Sequence, residues 1–289
     1  MDALLRSFEE HSIIWIIISA GIGGLLGALI KFVFEQVLGP RLRSVRAAKV
    51  ALRRYTYPIL RAADTLDRRI ENLIRFVDKK WFDDPKEDYY RLSTLYLFGR
   101  YFGWCKILEN EAFLKYEISD RKARNFNIRF YRVFKGITGF DYFKDLKADE
   151  FEDLEADEVS SIEAATVPRL ALTAIGELMI KKHEGTEERL PTVLDFVEFA
   201  RDYKTSHDFK KWFSYLENVL SGLSNSMKNA RWNRLVVFAT NLRVFISFLD
   251  PRSRQTAPRQ VYYLKYLHPK VAKCLRKELE ESGYSHMIT

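Results

Sequence analysis

The chain is poor in the residues that punctuate or staple small folds. Its 289 residues include 2 cysteines, 8 prolines and 13 glycines. Two thiols, Cys105 and Cys274, exclude a disulfide-rich extracellular scaffold and suit a reducing compartment. So few prolines and glycines leave few tight turns, which argues against a many-stranded sandwich and for long helices. Alternating β-branched runs are scarce too, so at most a trace of sheet is expected. Catalytic signatures are also missing. There is no phosphate-binding loop, no H-E-x-x-H, no G-x-S-x-G and no C-x-x-C. The histidines are His11, His183, His207, His268 and His286, and none pairs with another at metal-ligand spacing. His183 and His207, each followed by an acid, read as surface or capping residues. Asp64 and Asp67 share a helix face with Arg61, Arg68 and Arg69 nearby, the composition of an ion-pair network rather than a metal site. The sequence therefore yields no catalytic residue, no metal ligand and no cofactor, and it leans away from an enzyme.

What is present is apolar mass and positive charge. Hydrophobic residues make up 47% and aromatics 14%, enough to build a core, which excludes a wholly disordered chain. There are 47 Lys+Arg against 39 Asp+Glu, a net charge of +8.

The longest uncharged run is Ser12 to Ile30, 19 residues. As a helix it spans roughly 28 Å, close to one hydrocarbon core. Trp15 and Lys31 sit near its two ends, where an interfacial aromatic and a snorkelling cation belong. Apolar residues continue to Leu38, and Gly39-Pro40 supplies a stop or kink. A cleaved signal peptide is the alternative, but Asp2, Glu9 and Glu10 outweigh Arg6 before the run, and the run is long. The expectation is an uncleaved transmembrane helix over 12–38. Cations follow it and hardly precede it, so the positive-inside rule puts 1–11 outside and the rest in the cytoplasm, at the plasma (inner) membrane. Gly23 and Gly27 form a G-x-x-x-G pair that favours helix–helix contact and a homo-oligomer. A dinucleotide-loop reading of these glycines fails, because Leu26 stands where the third glycine belongs and no strand precedes them.

The remainder reads as an all-α bundle. Arg41 to Arg75 carries an apolar stripe of Leu52, Ile59, Leu66, Ile70, Leu73 and Ile74, running on to Phe76, with Pro58 kinking or restarting the helix. Glu87 to Tyr116 reads as one long helix, apolar nearly all round at its centre. Arg100 interrupts that centre, so it suits the middle of a bundle better than a second membrane pass, and Arg100 then needs a carboxylate or carbonyl. Asp120 to Lys135 is basic and aromatic. Ala148 to Glu158 holds seven acids and no base, the mark of a polar loop or linker. Pro168 to Lys182 is helical, and Pro191 reads as the first residue of the next helix. Ser206 can cap a helix to about Ser221. Ala230 to Leu249 shows 3-4 apolar spacing and ends at Asp250-Pro251, and Pro269 starts a helix to about Glu281. The expected plan is 41–145 as a first helical half, 146–162 as an acidic linker and 163–289 as a second half.

Two basic stretches suggest partners. Arg41, Arg43, Arg46, Lys49, Arg53 and Arg54 follow the apolar run with no acid through Arg61, a pattern suited to anionic lipid headgroups. Residues 218–277 hold twelve bases against one acid, Asp250. Tyr262, Tyr263 and Tyr266 interleave with Arg252, Arg254, Arg259, Lys265, Lys270 and Lys273, which suits nucleic acid or a nucleotide phosphate. The competing reading pairs these bases with the acids of 148–158 inside one fold.

The blocks Ser93–Gly99, Tyr101–Trp104, Arg234-Leu235 and Phe248–Pro251 resemble those of uncharacterised bacterial single-pass membrane-anchored helical proteins. They cover under a fifth of the chain. The resemblance implies a bacterial source and a helical cytoplasmic part, and carries over no reaction or functional residue. The expected function is a membrane-tethered, non-enzymatic interaction or scaffold protein that binds a protein partner or anionic lipid. The alternative is a membrane-anchored sensor or effector of a bacterial stress or phage-defence system, with nucleic acid or a nucleotide on the basic C-terminal region.

Overall fold

Among the described residues, eight segments are α-helices in the computed structural model. The structure describes residues 39–84, 86, 88–113, 121–144, 146–154, 165–181, 190–258, 260–261 and 263–288. The expected membrane segment 12–38, with Gly23 and Gly27, lies outside the described residues. Among the described residues no helix is long and apolar enough to cross a membrane. The chain divides into two compact units, Met1–Val50 and Ala51–Thr289.

Helix α1 (Gly39–Arg75) runs unbroken through Pro58. Ile59, Leu66, Ile70 and Leu73 are buried, as their spacing requires, whereas Phe76 lies just past the helix and is exposed. Helix α2 (Asp88–Leu108) is buried on most sides and packs among several other helices, so it is the bundle element its apolar centre suggests. It is shorter than the Glu87–Tyr116 reading. The apolar pattern stops at Leu108, and one π-turn, Glu109–Phe113, follows. Helix α3 (Arg121–Thr138) buries Phe126, Phe130, Val133 and Ile137 on one face.

Helix α4 (Arg169–Leu178) also ends early, because the chain turns extended. Ile180 forms an isolated antiparallel bridge with Val193, and a second bridge joins Val261 to Ile288; the described residues form no longer strand. Pro191 therefore sits in this extended stretch and not at a helix start. Helix α5 (Phe196–Thr205) begins instead with a capping box. The Asp195 carboxylate accepts from the Val197 and Glu198 N–H groups, and the Glu198 side chain accepts from the Asp195 N–H. Ser206 caps helix α6 (His207–Leu220). Helices α7 (Ala230–Leu249) and α8 (Pro269–Glu281) follow the expected bounds.

Helix α7 is the axis of the body. Every residue from Trp232 to Ile246 is buried. Phe238 stacks on Phe98 of α2 at 5.5 Å, and Phe245 meets Phe126 of α3 edge-on at 5.4 Å. Helices α3 and α7 make the broadest contact. Gly136 makes it possible, since a Cβ there would stand 3.0 Å from the Phe238 Cα. Gly176 does the same between α4 and α2, where a Cβ would stand 2.9 Å from the Phe102 carbonyl oxygen. Backbone cannot yield as a flexible side-chain tip can. Gly136→Ala and Gly176→Ala are each expected to destabilise by about 1–3 kcal/mol through overpacking, read as a lower urea midpoint with an unchanged slope.

Candidate functional site

The chemically richest region is the polar content of α7. Arg243 is buried and donates from Nε to Asp67 at 2.9 Å, from Nη2 to Glu71 at 3.2 Å and from Nη1 to the Gln260 carbonyl at 2.7 Å. Its guanidinium also lies over the Tyr263 ring at 5.0 Å. Asp67 is fully buried too. The Asp64/Asp67 pair thus belongs to an ion-pair network, as its basic neighbours suggest: Arg68 holds Asp64 at 3.2 Å and Arg243 holds Asp67.

Arg234, two turns earlier, is fully buried and has no carboxylate partner among the described residues. Its Nη1 donates to the Gly139 carbonyl just beyond the end of α3, and its guanidinium lies 4.1 Å from the centre of the Phe143 ring. A cation there is favoured by the negative end of the α3 dipole and by the ring face. Nε and Nη2 have no protein partner. Burial pushes Arg234 down to about 9.

Two tyrosine–glutamate pairs, with Tyr142 and Tyr203 buried, add titratable groups to the interior. Tyr142 donates to Glu278 and accepts from Asn241, while Arg132 holds the other Glu278 oxygen at 2.9 Å. Tyr203 donates to Glu217 at 2.6 Å. Burial, then the neighbouring carboxylate, raises both phenols, so they stay protonated donors. The Arg243 network and the two tyrosine–glutamate pairs are thus locked internally. No cluster of three His, Cys, Asp or Glu among the described residues is placed to hold a metal. Arg100 is half-buried beside Tyr96 and has no carboxylate partner among the described residues.

The basic residues singled out in the sequence fall into three groups. Arg41, Arg43, Arg46 and Lys49 lie on the first turns of α1, followed by Arg53 and Arg54, both exposed. Five of the twelve bases of 218–277 are used internally. Arg234 and Arg243 are buried, while Lys228 meets Glu152 at 3.2 Å, Arg231 meets Asp153 at 3.3 Å and Lys270 meets Glu150 at 3.1 Å. Arg252, Arg254, Lys265 and Lys273 remain exposed on the loop after α7, a 3-10 turn and α8. Arg259 lies outside the described residues.

The acidic segment does more than neutralise. Asp153 accepts from the Ala230 N–H at 2.6 Å and the Arg231 N–H at 3.2 Å, at the start of α7. A carboxylate at a helix N-terminus satisfies orphan donors and complements the dipole. Glu150 approaches His268 Nε2 at 3.6 Å, while His268 Nδ1 accepts from the Lys270 N–H to cap α8. The reading that pairs bases of 218–277 with acids of 148–158 is met at Lys228, Arg231 and Lys270, whereas the sequence gives no direct sign that Arg234 and Arg243 lie inside. The signal that finds them is the all-round apolar character of α7, which leaves its arginines nowhere to point but inward.

No protein family model, curated protein or solved structure matches the chain.

Asp67→Ala would leave the Arg243 charge buried beside a lost partner and is expected to cost about 3–5 kcal/mol. Glu71→Ala, at the wetter end of the network, is expected to cost about 1 kcal/mol or less. Chemical denaturation of both variants separates these values. A pH dependence also follows from His268. Burial, against the pull of Glu150, holds its imidazole below the usual 6.5. Folding therefore favours the neutral ring, and its contribution is full above about 6.5 and is lost as pH falls below it. The urea midpoint is expected to drop over that window, and His268→Asn, which keeps a capping group, is expected to flatten this part of the slope.

Proposed function

We propose that the chain is a membrane-tethered, non-enzymatic interaction protein that lies on the cytoplasmic face of the inner membrane and binds anionic lipid there, its helical body serving a protein partner. The observation that carries this reading is the exposed face of α1. Arg53 and Arg54 are exposed there, and neither has a carboxylate partner among the described residues. Arg41, Arg43, Arg46 and Lys49 precede them on the same helix, which begins one residue after the apolar segment 12–38. Cations set beside a hydrocarbon-spanning segment gain about 1 kcal/mol each from an anionic surface. The interlocked interior polar groups favour a binding role over catalysis, and Gly23 and Gly27 supply a route to self-association in the bilayer.

A sensor or effector that holds nucleic acid or a nucleotide on its C-terminal cations is the second reading. It draws on exposed Arg252, Arg254, Lys265 and Lys273. Five of the surrounding bases serve the fold itself, which leaves this surface less charge than the sequence promises.

In fractionated cells the full chain is expected to pellet with membranes and to leave them only with detergent. Recovery of the full chain in the supernatant without detergent would sink the tethering. In flotation with phosphatidylcholine vesicles, added phosphatidylglycerol is expected to strengthen binding. Neutralising Arg53 and Arg54 to Gln is expected to reduce that gain by roughly fivefold per charge.

A further inference from the structure

Helices α4, α5 and α6 frame an open groove of about 740 Å³. Its floor is apolar, made by Leu178, Ile180, Leu194, Phe209 and Trp212. Its rim carries four carboxylates, Glu177, Glu198, Asp202 and Asp208, against Lys181 and Arg201. The groove is thus acidic on a chain whose net charge is +8. Lys106 holds Glu177 at 2.9 Å, Lys181 pairs with Glu198, and Arg201 pairs with its neighbour Asp202 at 2.9 Å. Asp208 is exposed and has no cation partner among the described residues.

The apolar surface does not stop at the rim. On α4, Leu170, Ala174 and Leu178 recur every four residues, so they form one row leading into the groove. Leu170 is 78% exposed, and Val197, one turn before Arg201 on α5, is 76% exposed. Large aliphatic side chains open to water beside an apolar, acid-rimmed floor are the composition of an interaction surface.

A surface of matching chemistry stands on the same chain. Around α1, at about 100° per residue, Tyr57, Arg61 and Arg68 fall within roughly 40° of one another and cover about 16 Å of helix. All three are exposed, Tyr57 to 56%. Arg61 has no carboxylate partner among the described residues, and Arg68 reaches back to Asp64 at 3.2 Å. An exposed aromatic flanked by arginines is the residue set that dominates interface energies.

We infer that the groove receives the Tyr57–Arg61–Arg68 stripe of a second copy of this chain, with Tyr57 on the apolar floor beside Trp212 and Arg61 against Asp202 and Asp208. Each copy holds one groove and one stripe. The contact is therefore heterologous, head to tail, and propagates or closes into a ring according to its rotation. It rests on residues of the unit Ala51–Thr289 and not on the membrane reading.

The test is complementation between two variants of the full chain, purified in a mild non-ionic detergent and followed by sedimentation velocity. Tyr57→Ala with Arg61→Glu breaks the stripe, and Asp202→Lys with Asp208→Lys breaks the groove. Wild type is expected to grow beyond the dimer as concentration rises. Each variant alone is expected to associate at least about tenfold more weakly, since attraction becomes repulsion at the rim. Mixed one to one, they retain a single intact stripe–groove pair and are expected to form dimers and stop there. The milder pair Arg61→Gln and Asp208→Asn gives the same pattern should a double variant fail to fold. The proposal is overturned if both variants associate as wild type does, if their mixture associates no further than either variant alone, or if wild type does not associate at all. Association through the membrane segment would survive both variants alike, which separates it from this contact.

Discussion

Helix α7 has no face to give to water, yet it carries Asn233, Arg234, Asn241 and Arg243. This constraint organises the rest of the body. A buried charge or amide without a partner costs several kcal/mol, so each of these side chains dictates what stands beside it. Arg243 requires the acids of α1 and the Gln260 carbonyl. Asn241 requires the Tyr142 hydroxyl, which in turn fixes Glu278 of α8. Asn233 accepts the His268 N–H at 2.7 Å and so sets where α8 begins. Arg234 requires the exposed carbonyl after α3. The aromatic rings fill space around the axis, but these polar contacts choose which element lies where. A purely apolar α7 would bury as well and specify less.

The helical class and most helix bounds were legible because they depend on local spacing. Ser206 and Pro269 mark starts in the sequence, and the structure uses both. The errors arose where a local signal competed with a neighbour. Pro191 looks like a helix start, but the Lys181 N–H donates to the Thr192 carbonyl and the Leu194 N–H to the Met179 carbonyl, which keeps Pro191 in extended backbone. The Asp195-x-x-Glu198 pattern was the better marker. Likewise the apolar run of α2 gave no hint that the helix would widen into a π-turn at Glu109.

Charge was harder to read than hydrophobicity. Counting bases along 218–277 treats each as a surface group, although two lie inside α7 and three serve as ties to the acidic segment. Composition cannot tell a tie from a docking surface, because the distinction lies in three-dimensional pairing. Asp153 shows this well, since an acid in an apparent linker accepts two N–H groups at the start of the central helix.

Pro58 sits within α1 between the basic turns and the turns that hold Asp67 and Glu71. It has no amide hydrogen, so the Arg54 carbonyl receives no helical donor, and the helix is softest there. The buried Asp67–Arg243 pair lies about 14 Å further along the helix, so the gap in the backbone ladder falls outside the turns that carry it.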